Sequence, residues 1–410
     1  MISRREALIG GASLLAFTGI GTAGRATWAA GAPVSSGVPE GAAAEAELGT
    51  LAGKKPLIRL SHRPPNYETP VEYFKDVITP NDVFFVRYHH GHIPELTAAE
   101  WTCQIRGEGV EKPFTLSLAS LKADFQSVEM VAVCQCSGNR RGLSKPHVPG
   151  VQWGYGAMGN AKWKGVRLKD VLTKAGLKGQ TIEVAFNGAD KAVMTGGPDF
   201  MKSLPVWKAM DENVLLVYEM NGAPLPHWNG FPVRLIVPGW TGTYWMKHLT
   251  TIEALTQPFN QFWMAPAYRI PQGKFPLVDR FISQETDAKT TPITEIVVNS
   301  LITSLTEGQK VTVGHPVEVK GIAWDAGYGI RTVEVSTDGG ETWHRAVLGA
   351  DLGRFSFKPW SHSFVPSKAG KHTVMVKATN PQGATQTFEL VFNPAGYHNN
   401  VIETITIEAA

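Results

Sequence analysis

The sequence predicts an α+β domain followed by an immunoglobulin-like β-sandwich, and three observations carry this prediction. Over residues 83–237 short apolar strands alternate with helical patterns. From residue 293 onward only short alternating strands remain, separated by turn residues. Glycine and proline contribute 42 and 27 residues to the 410, which indicates many turns and a chain of two or three domains.

The first domain carries four predicted strands and two predicted helices. The strands are 83–88, 127–133, 214–218 and 231–237. Ser117 suits the N-cap of a helix that runs to Asp124. Residues 167–175 form the clearest helix, because their apolar side chains recur at i, i+3, i+4 and i+7 and Gly176 follows as a left-handed C-cap. Residues 254–292 lose this periodicity and are typical of a connection between domains.

The second domain is predicted from short strands that alternate in hydropathy. These strands are 311–313, 317–323, 330–336, 343–347, 372–378 and 387–391. Asp338, Gly339 and Gly340 form a hairpin turn between two of them. The rhythm predicts a sandwich of about 110 residues, typical of immunoglobulin-like domains.

The N-terminus has the order of an export signal. Arg4 and Arg5 precede an apolar run over 8–23, and small residues follow. The paired arginines favour the twin-arginine route, which exports folded proteins to the periplasm. Four glycines interrupt the run, which is too short for a membrane anchor. We therefore expect a signal over 1–30, a flexible segment over 31–56, a catalytic domain over 57–290 and the sandwich over 291–410.

Charge and cysteine content exclude several classes of protein. The net charge of +3 is too small to recruit nucleic acid. Three cysteines, Cys103, Cys134 and Cys136, cannot build a disulfide framework in an exported chain, since one thiol is always left over. No Cys-x-x-Cys-His motif is present, so we expect no covalently attached haem.

The segment with the densest chemistry is 133–142. A predicted strand delivers Cys136 into a polar loop that contains Arg140 and Arg141. Neighbouring cations favour a thiolate, which is both a nucleophile and a ligand for soft metals. The alternative is a small buried cysteine with two ordinary arginines.

The sequence Cys-Ser-Gly-Asn-Arg-Arg at 136–141 resembles the hallmark loop of the sulfite oxidase family of molybdenum enzymes. Further similar stretches follow in family order at 84–89, 153–166, 218–226, 230–234 and 333–343. The resemblance covers roughly residues 57–408. It implies a sulfite-oxidase-type mixed α/β domain that binds molybdopterin, followed by the sandwich.

The resemblance implies a molybdenum held by one pyranopterin dithiolene, oxo groups and the thiolate of Cys136. Cys134 then serves packing, pterin contact or, alternatively, ligation, and Cys103 belongs to the core. Asn229 stands where animal enzymes have histidine. The implied cofactor contacts are Arg87, His89, Cys136, Asp190, Asn229, Arg234, Trp245, Met246 and Lys247.

Arg87, Arg141 and Tyr268 match the family's substrate residues. Arginine suits a small oxyanion because its charge does not titrate. For Arg140 we expect a structural ion pair. Animal enzymes place a further arginine in the loop before the Val-x-Val-Ser strand, whereas this chain has Gly-Tyr-Gly at 327–329. The anion pocket is therefore expected to differ there.

The resemblance implies a periplasmic sulfite dehydrogenase that passes electrons to a separate c-type cytochrome, because the fused cytochrome b5 domain of animal enzymes is missing. It also implies a homodimer through the sandwich, and we expect a chain cut near residue 291 to bind cofactor still. After signal cleavage no membrane anchor is expected.

Other functions stay open at this stage. One is the molybdenum subunit of a sulfur-compound dehydrogenase complex of a thiosulfate pathway. A methionine sulfoxide reductase is disfavoured by the two arginines and the sandwich, and a plant-type nitrate reductase by the absent haem and flavin domains. The non-enzyme alternative is a cofactor-free scaffold, which molybdenum content would distinguish.

Overall fold

A computed structural model of the chain describes residues 47–272 and 290–410. The predicted signal 1–30, most of the segment 31–56 and part of the interdomain connection lie outside the described residues. In the described ranges no helix is both long and apolar enough to cross a bilayer.

The first region is built from short strands. They are β1 Glu47–Gly49, β2 Leu57–Ser61, β3 Asn66–Glu68, β4 Val86–Arg87, β5 Thr102–Arg106, β6 Phe114–Ser117, β7 Ser127–Gln135, β8 Met158–Arg167, β9 Glu183–Gly188, β10 Met201–Pro205, β11 Leu215–Met220, β12 Ala223–Pro224, β13 Arg234–Ile236 and β14 Leu249–Leu255. Three sheets result, with the orders β1-β2-β3-β4, β10-β9-β14-β5-β6 and β12-β11-β8-β7, and β13 pairs with β11. All pairings are antiparallel except that of β14 with β5.

The helices confirm both sequence predictions. They are α1 Leu118–Asp124, α2 Leu168–Ala175 and the short α3 Val206–Ala209. Ser117 accepts a hydrogen bond from the Ser120 amide at the start of α1. Gly176 ends α2 at φ 69°, where a Cβ would be strained. Helical turns of the 3₁₀ type lie at Val71–Lys75, Arg141–Leu143, His227–Asn229 and Gly242–Tyr244.

The predicted strand 83–88 is largely wrong, since only β4 pairs there. Side chains from elsewhere in the chain take the carbonyl oxygens of this segment instead. Thr69 donates to Val83, Lys54 to Phe84, Asn229 to Phe85 and Lys247 to Arg87, at 2.7, 2.9, 3.2 and 2.8 Å. The alternating pattern therefore reports burial, while the hydrogen bonds belong to a loop that lines a cavity.

Residues 47–56 form β1 and a turn rather than a free segment. Strand β1 pairs with β2, and Glu47 lies opposite Arg59 in this pair. Lys54 is buried, and its Nζ donates to Asn81 O at 2.6 Å, Phe84 O and Asn229 Oδ1. This part of the predicted flexible segment is thus joined to the first domain.

The second region is an all-β unit. Its strands, with a preceding pair β15 and β16, are β15 Arg269–Pro271, β16 Thr290–Pro292, β17 Asn299–Ile302, β18 Lys310–Val311, β19 Val317–Trp324, β20 Thr332–Ser336, β21 His344–Arg345, β22 Val347–Leu348, β23 Lys358–Phe364, β24 Gly370–Thr379 and β25 Glu403–Ala409. Sheets β17-β19-β23-β22 and β18-β25-β24-β20-β21 share one hydrophobic core.

The sequence missed β17, β23 and β25, and it predicted a strand at 387–391 that does not form. Only Thr387 makes a bridge there, to Val401. Phe388 is 61% exposed and packs edge-on against Trp343. The alternation in this stretch comes from exposed apolar side chains on a loop.

The two regions share a buried boundary. Trp324 donates to Gln135 Oε1 at 2.5 Å, and the Val133 amide donates to Phe355 O at 2.9 Å. One hydrophobic cluster combines side chains of both regions, Val133 among them. The second region therefore supports the end of β7, where Cys136 follows.

Candidate active site

Cys136 is the first residue after β7 and lies in the wall of a cavity. Its amide donates to Ala157 O at 2.9 Å, and its side chain is 8% exposed. The loop that follows is tight, because a Cβ on Gly138 would lie 2.5 Å from Nη1 of Arg141. The thiol is thus presented from a fixed backbone.

Ten of the eleven predicted site residues line this one cavity. They are Arg87, His89, Cys136, Asp190, Asn229, Arg234, Trp245, Met246, Lys247 and Tyr268. The sequence separation between the first and last is 181 positions, so the fold rather than local spacing brings them together.

The cavity holds more positive than negative side chains. Burial lowers the pKa of Lys247 to about 8 and also lowers the pKa of Arg234. Asp190 raises the pKa of Lys247, while burial raises the pKa of Asp190 itself. With Arg87 added, three cations face one carboxylate, which favours an anionic ligand.

Tyr268 is held in a strained conformation by its neighbours. Its φ is 61°, a left-handed value that bulky residues rarely adopt. The hydroxyl makes a hydrogen bond with Nε2 of His89, whose ring stacks on Phe200 at 3.7 Å between centroids. Burial raises the pKa of Tyr268 and lowers that of His89 well below its usual range. Both groups are therefore neutral at pH 7.

Arg141 is the predicted site residue that the cavity lining does not include. Its Nε donates to Ala395 O at 2.9 Å and its Nη1 to Val151 O at 3.2 Å. The guanidinium lies over the ring of Tyr397, 5.1 Å from the centroid. Tyr397 in turn stacks on Tyr268, at 5.7 Å and 10° between planes.

Arg140 is structural, but the expected ion pair is wrong. Its guanidinium donates to Asn299 Oδ1 and, at 2.7 Å, to Val401 O, and it lies over the ring of Tyr155. Among the described side chains no carboxylate is within ion-pair distance, although Glu403 is close enough to interact with it. Neutral acceptors of the second region thus take the place of the expected anion.

The other two cysteines are buried. Cys134 lines the cavity beside Arg234, and burial raises the pKa of its thiol to about 11. Cys103 is fully buried in the main core, as the sequence indicated, and burial raises its pKa. Cys103 does not line the cavity, whereas Cys134 lies where it can contact a bound cofactor.

Sequence reasoning missed several residues at the site. Ser137, Phe200 and Thr243 line the cavity, Lys54 binds Asn229 Oδ1 at 2.6 Å, and Tyr397 packs on Tyr268. Ser137 was predictable from the sequence, since it directly follows Cys136. Lys54 and Tyr397 carry no local signal, because each reaches the site from a distant part of the chain.

The cavity fits a molybdopterin. Ser137 Oγ is buried without a hydrogen-bond partner, and the excess of cations suits a phosphate. Within 47–272 and 290–410 no group of three or more His, Cys, Asp or Glu side chains could hold a metal alone. A metal at Cys136 therefore needs ligands from a cofactor, such as the soft dithiolene sulfurs of a pterin.

Fold and site together define a molybdopterin-binding oxidoreductase. Residues 90–263 match the model of the oxidoreductase molybdopterin binding domain, and residues 290–410 match the Mo-co oxidoreductase dimerisation domain. The chain belongs to the sulfite oxidase family of these enzymes.

Relatives and a solved structure agree with this family. Mitochondrial sulfite oxidase of Macaca fascicularis is 36% identical over 78% of this chain and 59% of its own length, and that of Rattus norvegicus 33% over 87% and 66%. The chain thus spans about three fifths to two thirds of these relatives. The crystal structure of the sulfane dehydrogenase SoxCD from Paracoccus pantotrophus matches with a TM-score of 0.71 at 25% identity, covering 85% of this chain and 86% of that one.

Proposed function

We propose that this protein is a periplasmic sulfite dehydrogenase that passes electrons to a separate c-type cytochrome. The observation that carries the proposal is Cys136 in the wall of a cation-rich cavity that also contains Arg87 and Tyr268. Sulfite and water give sulfate, two protons and two electrons. When bound, molybdenum supplies the two-electron redox chemistry, and the chain positions the reactants.

Cys136 would ligate the metal, and Arg234, Lys247 and Asp190 would hold the pterin and its phosphate. Arg87 supplies fixed positive charge to the sulfite anion. Tyr268 is protonated at pH 7, so its hydroxyl donates a hydrogen bond to an anionic oxygen.

The lining also controls water and the position of the anion. Phe84, Phe85, Phe200 and Trp245 contribute apolar surface to the cavity. Such surface lowers the local dielectric constant, which strengthens the interaction of Arg87 with an anion. Binding and orientation are therefore the contributions of the chain.

Sulfite-dependent reduction of cytochrome c by the molybdenum-loaded protein tests the proposal. We expect two cytochromes reduced for each sulfate formed, with molybdenum and pterin close to one per chain. Fully loaded protein that reduces no cytochrome on addition of sulfite would contradict it, and fractionation of cells tests the periplasmic location.

A second candidate is oxidation of a carrier-bound sulfane sulfur, and the similarity to SoxCD favours it. The two functions differ in the size of the substrate that must reach Cys136. Comparison of kcat/KM for sulfite and for a protein-bound persulfide decides between them. A preference of more than tenfold for the persulfide would replace the sulfite proposal.

The proposed assembly is a homodimer through the second region. Phe388, Val391 and Phe392 are 61%, 36% and 45% exposed on one short loop, and the matched domain is named for dimerisation. Closed twofold pairing is the commonest solution for such a surface. Light scattering of the full chain at micromolar concentration should give twice the mass of one chain, and a single-chain mass would refute the dimer.

A further inference from the structure

Residues 47–56, which we call the N-terminal arm, lie behind one wall of the candidate active site. Trp228 and Asn229 form that wall and line the cavity. The indole nitrogen of Trp228 donates to Ala52 O at 2.9 Å, and Lys54 Nζ donates to Asn229 Oδ1 at 2.6 Å. Two neighbouring residues of the lining are therefore held by a segment that lies 175 or more positions away in the chain.

Lys54 reaches the wall from a tight turn and is fixed at both ends. Its amide donates to Leu51 O at 2.9 Å. The side chain is 7% exposed, and besides Asn229 its Nζ binds Asn81 O at 2.6 Å and Phe84 O at 2.9 Å. Burial lowers the pKa of Lys54 to about 7, whereas three surrounding oxygen atoms favour the ammonium form. That form has three protons, one for each oxygen.

The contact with Lys54 determines how the amide of Asn229 is oriented. An ammonium group only donates, so it binds the amide oxygen and leaves the nitrogen to meet other acceptors. The nitrogen donates one of its two protons to Phe85 O at 3.2 Å. Asn229 is 2% exposed, and Arg234, which also lines the cavity, donates to its carbonyl oxygen at 2.9 Å. The wall therefore offers an N–H donor next to a guanidinium, a pair that suits an anionic ligand.

We propose that Lys54 is a positioning residue for the cofactor, which holds the Asn229 amide so that its N–H donates to an acceptor oxygen of the bound molybdopterin. The inference rests on the proposed function, because that function requires this cofactor. Lys54 acts through Asn229, since its own Nζ is already bonded to three oxygen atoms. The N-terminal arm thereby belongs to the cofactor site, although none of residues 47–56 lines the cavity.

The variants Lys54→Met and Lys55→Met form a matched pair at neighbouring positions. Lys55 makes an exposed ion pair with Asp82 at 3.0 Å, and such pairs contribute little to stability. Molybdenum-loaded protein is incubated at pH 6.5, below the pKa of Lys54, and released pterin is separated by gel filtration and measured by its fluorescence. We expect the rate of pterin release to rise roughly 10-fold in Lys54→Met and to stay unchanged in Lys55→Met.

A double-mutant cycle with Asn229→Leu separates positioning from a general structural role. Asn229→Leu alone should also raise the release rate roughly 10-fold, because it removes the N–H donor. If Lys54 acts through Asn229, the double variant should release pterin no faster than Asn229→Leu. A role through Asn81 O and Phe84 O alone would make the two effects multiply, and that result would overturn the inference. Lys54→Gln, which keeps a donor, enters the same cycle if Lys54→Met does not fold.

The release assay needs no turnover, so the inference and the proposed function fail separately. Loaded protein that does not oxidise sulfite contradicts the proposed function, and the release rates still decide the role of Lys54. An unaltered release rate in folded Lys54→Met or Lys54→Gln protein contradicts the inference, whatever the activity.

Discussion

The two arginines matched to the substrate occupy different kinds of environment. Arg87, on β4, lines the cavity and shares its guanidinium with Asn66 Oδ1 at 3.2 Å and with Tyr88 O. Arg141, in the loop after β7, is bound to two backbone carbonyls and covered by Tyr397. Two arginines that both match family positions therefore differ in location. Arg87 lines the cavity, and Arg141 lies outside its lining.

This difference shows that a sequence motif predicts the chemical role of a residue only where the fold leaves its side chain free to contact a ligand. Arg87 uses only Nη1 in its two hydrogen bonds to described residues, so its Nε and Nη2 donors can face a ligand. Arg141 cannot do so without leaving the buried Ala395 O unsatisfied, which costs about 1–3 kcal/mol. Its charge lowers the pKa values of Tyr268 and Tyr397, against the larger effect of burial.

Cys136→Ser should reduce turnover more than either arginine variant, because Cys136 is the proposed ligand of the metal. A neutral hydroxyl cannot replace a thiolate on a soft metal, so we expect sulfite turnover to fall by about 1000-fold or more. Steady-state kinetics with molybdenum analysis provides the measurement, and Cys134→Ser is the control that should keep most activity. Near-normal turnover in a loaded Cys136→Ser protein would remove Cys136 from the metal site.

Arg87→Met should give the next largest effect. It removes a cation that lines the cavity, and we expect kcat/KM to fall by roughly 30- to 1000-fold, or about 2–4 kcal/mol. Asn66 Oδ1 and Tyr88 O lose their donor, so the free energy of unfolding should also fall. Kinetics and urea denaturation of the same sample separate the two quantities. A loss of stability without a loss of kcat/KM would reverse the comparison.

Arg141→Met should lower stability more than it lowers kcat/KM. It leaves the Ala395 carbonyl without its Arg141 donor and removes the cation over Tyr397, so the free energy of unfolding should fall by about 1–3 kcal/mol. We expect kcat/KM to change less than in Arg87→Met. Equal kinetic losses in both variants, measured under conditions where each is fully folded, would show that Arg141 touches the substrate.

The free energy of unfolding should also depend on pH, through a histidine close to Arg87. His248 supports the neighbouring Tyr88 through a 2.7 Å hydrogen bond, and burial lowers its pKa from 6.5 to about 3. The unfolded chain therefore binds the proton more tightly, and stability is lost as pH falls below about 6.5. Between pH 6.5 and 5 this amounts to about 2 kcal/mol.

His248→Gln keeps a donor and an acceptor but does not titrate. Urea denaturation at pH 7 and pH 5 should therefore show a smaller loss of stability in the variant than in the original protein. Identical pH dependence of the two proteins would mean that His248 does not govern the acid response.

Much of the fold and site followed from local sequence. Helix α2 and the Ser117 cap were predictable because periodicity and caps act over a few residues. Cys136 and its neighbours were found through a contiguous motif. Segment 83–88 was misassigned because its carbonyls bond to distant side chains such as Lys54, which periodicity cannot reveal.

The role of the second region was the least predictable part. Tyr397 lies 129 positions after Tyr268, in a loop without any motif, and only the packed chain brings the two rings together. The acceptors of Arg140, Asn299 and Val401, are equally remote. Contacts between regions depend on how two cores meet, and that information is spread over many residues.

The bonds across the boundary at residue 290 have a consequence for how the protein unfolds. Arg140, Arg141 and Gln135 all take partners from the second region, so neither region satisfies its own buried polar groups alone. A chain cut near residue 291 would expose Val133 and leave these groups unpaired, contrary to the sequence-based expectation that it keeps its cofactor site. Calorimetry of the whole chain should accordingly show a single cooperative transition, because the two regions do not fold independently.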